Sequence, residues 1–418
     1  MNIKEIHEKY KNCACGKEHN CPIDYVIIKN GAAGELPEIS KEYNHILLVS
    51  DENTYRVCGE SVYNLLSDKI SKSIVLTPNG DVVIPNEEKI AEIESFITSE
   101  TDLIIGVGSG VINDLCKHVS FKHGLGYYIV ATAPSMDGYA SVGAALILEG
   151  MKITLNARPP KAIIADTSVL KDAPLDMLRA GYGDIIGKYS CLNDWKLSAL
   201  INNEYFCQAI YDMTFNEADR VKAIAKGITS RDENAVKILM EALVTVGVAM
   251  SFVGNSRPAS GSEHHLSHFF EITGILENKE YYPHGIDVGF SSIVTAQIRE
   301  NLLNQTPSRR KFNRDEWEKA IKEIYLSSAD GVIALQDKLG WYGADDSAFI
   351  TENWSQIRDI LKESPTADEF KCMLSDIGLD FADFEKMYGR EKINNAIKYA
   401  KDLKDRYSVL WLSHMYFS

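Results

Sequence analysis

The segment DLIIGVGSGVINDLCKHV, residues 102–119, decides how this chain folds. The apolar run LIIGV reads as a buried strand, and VINDLCKHV is patterned as a helix. Between them lies Gly106-Val107-Gly108-Ser109-Gly110. Glycines between a strand and a helix let backbone N–H groups approach a pyrophosphate, and the helix dipole adds a positive end. The pattern is not G-x-G-x-x-G, and an ordinary tight turn would show the same residues. Asn113 and Asp114 fall one turn into the helix.

Working outward, short β-rich runs alternate with amphipathic segments from Ile23 to about Asp166. The runs are Tyr25–Ile28, Ile46–Val49, Ser73–Leu76, Leu103–Val107 and Tyr127–Ala131, with helical patterns near Thr54–Ser67, Glu87–Thr98 and Gly110–Lys122. This alternation predicts a parallel sheet wrapped by helices, with ligands at the C-terminal ends of its strands. The strand HILLVS runs into Asp51. An acid there suits the two hydroxyls of a nucleotide ribose and repels a 2′-phosphate; a helix N-cap is the plainer reading. The loop ATAPSMDGYAS, residues 131–141, carries Thr132, Ser135, Asp137, Gly138 and Ser141. These groups suit sugar or polyol contacts, or they satisfy the loop's own backbone. AALILEG and MKITLN read as a hairpin turning at Glu149-Gly150, and PKAIIAD as the last strand.

Strand patterns stop after about Thr167, and the rest is helical. ENAVKILMEALVTVGVAMSFVG reads as a central buried helix, too short in its apolar part to span a bilayer. The expected fold class is therefore α/β. A Rossmann-like parallel-sheet domain over residues 1–167 precedes an all-helical domain over 168–418, with the active site in the cleft between them.

The helical half holds the densest cluster of metal-binding chemistry, RPASGSEHHLSHFFEITGILENKEYYPHG at 257–285. His264 and His268 are one helical turn apart and share a face; His265 lies between them, and His284 follows. Imidazoles so spaced suit zinc, nickel or iron, and also suit a hydrogen-bonded helix face. Asp184, after Ala180-Gly-Tyr-Gly183, is the candidate carboxylate ligand, with a helix N-cap as its alternative. Asp184, His264 and His284 would leave coordination positions open, as a catalytic metal requires.

Composition narrows the class. The chain has 418 residues, 45% hydrophobic and 25% charged, enough for a large core. Its net charge of −15 argues against nucleic acid and anionic membrane surfaces. MNIKEIHEKYKN lacks the apolar core of a signal peptide, and the eight cysteines show no disulfide-scaffold pattern, so the expected location is the cytoplasm. Cys13, Cys15, His19 and Cys21 are four soft ligands within nine residues, readable as a structural zinc site or as a reduced surface loop.

Taken together, GVGSGVINDLCK, TAPSMDGYAS, AGYGD, SRPASGSEHHLSH and PHG resemble the iron-containing (group III) alcohol dehydrogenase superfamily, which includes glycerol dehydrogenase and dehydroquinate synthase. Within it the likeness is greatest to the sn-glycerol-1-phosphate dehydrogenases, and it covers about His45 to His284. The resemblance implies NAD(H) or NADP(H) with its phosphates on Gly108, Ser109, Gly110, Asn113 and Asp114, and its nicotinamide side lined by Thr132, Ser135 and Ser141. It implies one divalent ion (zinc, nickel or iron) on Asp184, His264 and His284, Asp137 as a substrate-contacting acid, and His268 facing substrate. Ser109 and Val111 stand where the family often has Gly and a Lys-like residue.

The implied reaction is reversible reduction of dihydroxyacetone phosphate to sn-glycerol 1-phosphate, a step of phospholipid biosynthesis, in a homodimer. The substrate is a small phosphorylated triose or polyol, with no nucleic-acid or membrane partner. His268 would orient substrate or relay a proton, Asp184 would act as both ligand and catalytic group, and Asp51 would favour NAD(H). Arg257 is the candidate for the substrate phosphate, with a structural ion pair as its alternative. Three rivals remain: a dehydrogenase of unphosphorylated polyols, a cyclising lyase like dehydroquinate synthase, and a non-catalytic nucleotide- or metal-binding protein.

Overall fold

The computed structural model describes residues 1–78, 82–148 and 151–417. It contains a six-stranded sheet built from β1 (Tyr25–Lys29), β2 (Ile46–Asp51), β3 (Ile70–Leu76), β4 (Leu103–Gly108), β5 (Gly126–Ala131) and, after an antiparallel hairpin of β6 (Gly143–Leu148) and β7 (Met151–Asn156), β8 (Ala162–Asp166). The order is β1-β8-β5-β4-β2-β3, and every pairing is parallel. Parallel central strands are covered on both faces, so they are apolar throughout rather than alternating. All residues of β4 and β8 are buried accordingly. Ile46, Leu48, Ile105, Val107, Val130 and Ile164 form the core of one layer. The α/β expectation is met. The expected hairpin is present, but its turn at Glu149-Gly150 lies outside the described residues.

The strands run parallel throughout, but the order in which they are added reverses between β2 and β4: β3 lies on one side of β2, while β4, β5 and β8 follow outward on the other. Such a switch point opens a crevice at the carboxyl ends of the strands. Asp51 ends β2 and Gly108 ends β4, with Ser50 paired to Val107 and Gly108 to Ala131. The helix expected at 54–67 is instead interrupted by a π-helical turn at Tyr55–Gly59.

Of the helices, those that matter here are α1 (Ile3–Tyr10), α2 (Gly110–His123), α3 (Leu175–Ile186), α4 (Lys188–Asn202), α5 (Glu233–Val253), α6 (Ser262–Glu277) and α7 (His284–Leu303). Two compact units interleave in sequence. The first comprises Met1–Gly181 with Ala223–Ser256; the second comprises Tyr182–Lys222 with the chain from Arg257 onward.

The long apolar helix α5 thus belongs with the sheet rather than with the other helices. The reason is local. Ser251 Oγ donates to the Ala140 carbonyl at 2.6 Å, and a Cβ on Gly247 would lie 2.7 Å from the Asp137 carbonyl, so only glycine lets α5 approach that loop. Contrary to the expectation that its apolar part is too short, α5 alone among the described residues is long and apolar enough to cross a membrane, because the whole helix runs to 21 residues; 78% of its apolar window is buried inside the protein.

Candidate active site

In the first unit, the predicted cofactor residues gather at the switch point. Gly108 cannot carry a side chain, because a Cβ would fall 2.5 Å from Ile112 Cγ1, so the turn packs directly on the first turn of α2. Ser109 takes the N-cap position of α2 without a side-chain cap bond, which leaves the helix's first N–H groups to an acceptor such as a phosphate. The next loop is tied to this turn: Thr132 N donates to the Gly108 carbonyl at 3.1 Å. Asp51 caps the short helix that follows it. Its Oδ1 accepts from Thr54 N at 2.8 Å, while its own N–H donates to Thr54 Oγ1 at 3.0 Å. The plainer reading of Asp51 therefore describes one of its carboxylate oxygens.

Asn113 and Asp114 are engaged within the fold. Asn113 Nδ2 donates to Asp114 Oδ1 at 2.9 Å, Tyr127 donates its hydroxyl to Asn113 Oδ1 at 3.3 Å, and Ala145 N donates to Asp114 Oδ2 at 3.1 Å. A residue that the motif reading passed over, Lys117, organises the neighbouring loop. Its buried ammonium donates to the carbonyls of Gly138 at 2.7 Å and Gly143 at 3.0 Å, and lies 3.3 Å from Ser141 Oγ. Burial lowers the Lys117 pKa, against the opposing pull of Asp114 and Asp137. The loop holding Thr132, Ser135, Asp137 and Ser141 is thus fixed from beneath by a cation. Only its spacing from Asp114 on the helix face would have flagged it.

In the second unit, α3, α6 and α7 bring together Asp184, His264 and His284. One ligand atom of each lies within 4.8 Å of the others. Glycine again sets the approach: a Cβ on Gly183 would lie 2.3 Å from the Gly285 carbonyl. This contact places the end of α3, with Asp184, against the start of α7, with His284. The N-terminus of α6 is held by a buried network. Ser262 N donates to Asp194 Oδ2 at 2.7 Å, and Arg299 pairs with Asp194 Oδ1 at 2.9 Å.

Each member of the triad has its own partner. His264 Nδ1 lies 2.6 Å from Glu263 Oε1, which leaves Nε2 facing Asp184 Oδ1 at 3.5 Å. His284 Nδ1 lies 3.2 Å from Ser267 Oγ. Lys188, one turn beyond Asp184, donates to Asp184 Oδ1 at 2.7 Å and to the Ala259 carbonyl at 2.9 Å. Burial alone would raise the Asp184 and Glu263 carboxyls. Lys188 and His264 outweigh it at Asp184, and His264 outweighs it at Glu263, so both are held below the usual carboxylate range. His264 is lowered by burial and Lys188, but Asp184 and Glu263 prevail and raise it.

This donor set fits a divalent ion. Two ligands at about 2.1 Å across a tetrahedral angle stand about 3.4 Å apart, close to the Asp184–His264 separation of 3.5 Å. The carboxylate on His264 Nδ1 is the outer-shell partner that fixes a metal-ligating tautomer. His268 joins the group at its edge: its ring stacks on His284 with centroids 5.3 Å apart. His265 projects elsewhere. It is fully buried, neither ring nitrogen has a hydrogen-bond partner among the described residues, and burial pushes its pKa well down.

Arg257 departs from the expected phosphate role. It is 1% exposed, and its Nη2 donates to Glu204 Oε2 and the Tyr407 carbonyl, each at 2.7 Å. A guanidinium so buried and paired anchors the loop before α6 instead of facing a substrate. Lys188 and Glu263 were missed as site residues. Glu263 was visible as the acid directly preceding His264, and Lys188 only as a basic residue one turn after Asp184.

Residues 27–174 match the family model of iron-containing alcohol dehydrogenases. A curated protein of Halalkalibacterium halodurans is 34% identical over 305 residues, covering 72% of this chain and 76% of that protein, and is named glycerol-1-phosphate dehydrogenase with NAD(P)+. The chain belongs to the glycerol-1-phosphate dehydrogenase family. A relative of the same name from Geobacillus stearothermophilus is 28% identical over 424 residues, covering 98% of this chain and 97% of that one. Among solved structures, an archaeal halo-thermophilic alcohol dehydrogenase from a Red Sea brine pool shares the fold at a TM-score of 0.60 and 15% identity, over 92% of each chain. The chain is thus an oxidoreductase of this family, and NAD(P) and a metal ion are consistent with family and donor set alike.

Proposed function

We propose that this protein reversibly reduces dihydroxyacetone phosphate to sn-glycerol 1-phosphate with NAD(P)H. The family membership supports the reaction class, and one structural observation carries the chemistry: Asp184, His264 and His284 converge with each ligand held by its own partner, Lys188, Glu263 or Ser267. Asp184, His264 and His284 would hold zinc, nickel or iron, since an oxygen and two imidazole nitrogens accept any of the three. A divalent ion bound there supplies a Lewis acid that polarises a ketone oxygen. NAD(P)H supplies the hydride, with its phosphates at Gly108, Ser109 and Gly110 and its nicotinamide side toward Thr132, Ser135 and Ser141. Cofactor contacts thus come from residues before 167 and metal ligands from residues after 168.

The protein's own groups complete the assignment. His268 moves the proton that the reduced oxygen needs, or orients the substrate through its ring nitrogens. Asp137 holds a substrate hydroxyl. Asp51 disfavours a 2′-phosphate and so tilts the preference toward NAD(H). We further assign a homodimer, the commonest symmetric assembly, and a reducing, cytoplasmic setting. The test is NADH oxidation by metal-loaded protein with dihydroxyacetone phosphate. Turnover lost in His264→Ala and on chelation, and regained when metal returns to the wild type, is the expected result. Undiminished turnover in both would refute the assignment.

A further inference from the structure

We propose that Cys13, Cys15 and His19 bind a structural zinc ion, forming a second metal site in the first unit. Gly16 has a positive φ of 78°, and its N–H donates to the Cys13 carbonyl at 3.1 Å. This tight turn brings the two thiols round to the following histidine. One ligand atom from each of Cys13, Cys15 and His19 lies within 4.8 Å of the others. Cys15 Sγ and His19 Nε2 are 3.3 Å apart. A sulfur at about 2.3 Å and a nitrogen at about 2.05 Å from one tetrahedral zinc would be about 3.6 Å apart, so a small shift suffices.

The second observation is the setting of His19. Its side chain is 3% exposed, and Nδ1 lies 3.1 Å from the Phe252 carbonyl at the end of α5. A carbonyl only accepts, so Nδ1 carries the proton and the Nε2 lone pair faces the sulfur. That is the tautomer and outer-shell bond of a metal-ligating histidine. Two thiolates with an imidazole select zinc over hard cations, and binding releases the thiol protons. Cys21, the fourth member of the sequence cluster, is not in this group. Its thiol is fully buried. The ion's role follows from the connections: it closes the loop from Cys13 to His19 and holds the His19 ring, whose Nδ1 bonds the C-terminal end of α5.

The experiment uses the full chain loaded with zinc, then freed of loosely bound ions. Metal per chain is measured by mass spectrometry for wild type, Cys15→Ser and His264→Ala. Two ions in wild type and one in each variant are expected. With Co2+ in place of zinc, a thiolate-to-metal charge-transfer band should appear in wild type and His264→Ala and be absent from Cys15→Ser. A single ion in wild type with no such band would overturn the proposal. Should Cys15→Ser fail to fold, alkylation of wild type decides. Zinc should shield Cys13 and Cys15 from iodoacetamide and a chelator should expose them, whereas equal labelling in both states would refute the site.

Discussion

Replacing Glu263 by Gln isolates what the buried carboxylate does for the metal triad. Glu263 is fully buried, and its Oε1 takes both His264 Nδ1 at 2.6 Å and Gly261 N at 2.9 Å. A Gln carbonyl has two lone pairs and accepts both bonds, so geometry survives while the charge goes. Mutating the outer-shell partner of a metal-ligating histidine costs about 10–100-fold in metal affinity, which is about 1.4–2.7 kcal/mol, and loss of the charge alone should fall at the low end of that range. A further cost falls on folding. Glu263 Oε2 has no hydrogen-bond partner among the described residues, so the new NH2 would be a buried donor in a place that offers no acceptor. Such a group costs about 1–3 kcal/mol. Competition with a chromophoric chelator measures the metal Kd, and thermal unfolding of the metal-free protein measures the second effect. Activity at saturating metal should stay within a few-fold of wild type. A metal Kd unchanged within about twofold would refute the idea that Glu263 acts through His264.

Three other perturbations probe separate parts of the account. Gly183→Ala would set a Cβ 2.3 Å from the Gly285 carbonyl and push the start of α7 off α3; metal affinity should fall at least tenfold, and an unaltered Kd would show that the close approach is not what joins Asp184 to His284. Lys117→Met leaves the Gly138 and Gly143 carbonyls without their cation, so both the melting temperature and NAD(P)H affinity should drop, the latter measured by fluorescence titration; tight cofactor binding in a destabilised variant would confine Lys117 to folding. His414 is pushed down to about 2, by burial first and then by Lys401 and Arg310. Between that value and about 6.5 the unfolded chain binds a proton that the folded chain does not, so stability rises with pH across this window and is lost on acidification. Replacing it in His414→Gln should therefore flatten urea-unfolding stability between pH 6 and 5 by up to about 1.4 kcal/mol per pH unit, and an unchanged slope would count against it.

Much of this architecture was legible in the chain itself. The parallel sheet announced itself because strands covered on both faces must be apolar throughout, as Leu103–Gly108 and Ala162–Asp166 are. Asp184 was flagged by the small residues before it and His264 by its helix-turn spacing from His268, while His284, outside that spacing, joined them as a nearby histidine and through the family resemblance. What stayed hidden depended on partners distant in sequence. The sequence leaves Arg257 open to a phosphate or to a structural ion pair, and it is Glu204 and the Tyr407 carbonyl, distant in sequence, that lie against it. Cys21 has the spacing of a ligand, but its side chain is buried in packing that spacing does not encode. Helix α5 reads as the heart of a helical domain, yet Gly247 and Ser251 fit it to the loop after β5. Lys117 and Lys188 are ordinary helix-face lysines in the sequence, and only three-dimensional packing reveals the oxygens around them.

The most direct test of the central claim compares two substrates. Metal-reconstituted protein is assayed for NADH oxidation with dihydroxyacetone phosphate and with dihydroxyacetone, side by side. A large preference in kcat/KM for the phosphate ester, with NADH consumed in proportion to substrate, is the predicted result. Equal or better use of dihydroxyacetone would contradict it and make the protein a dehydrogenase of unphosphorylated polyols.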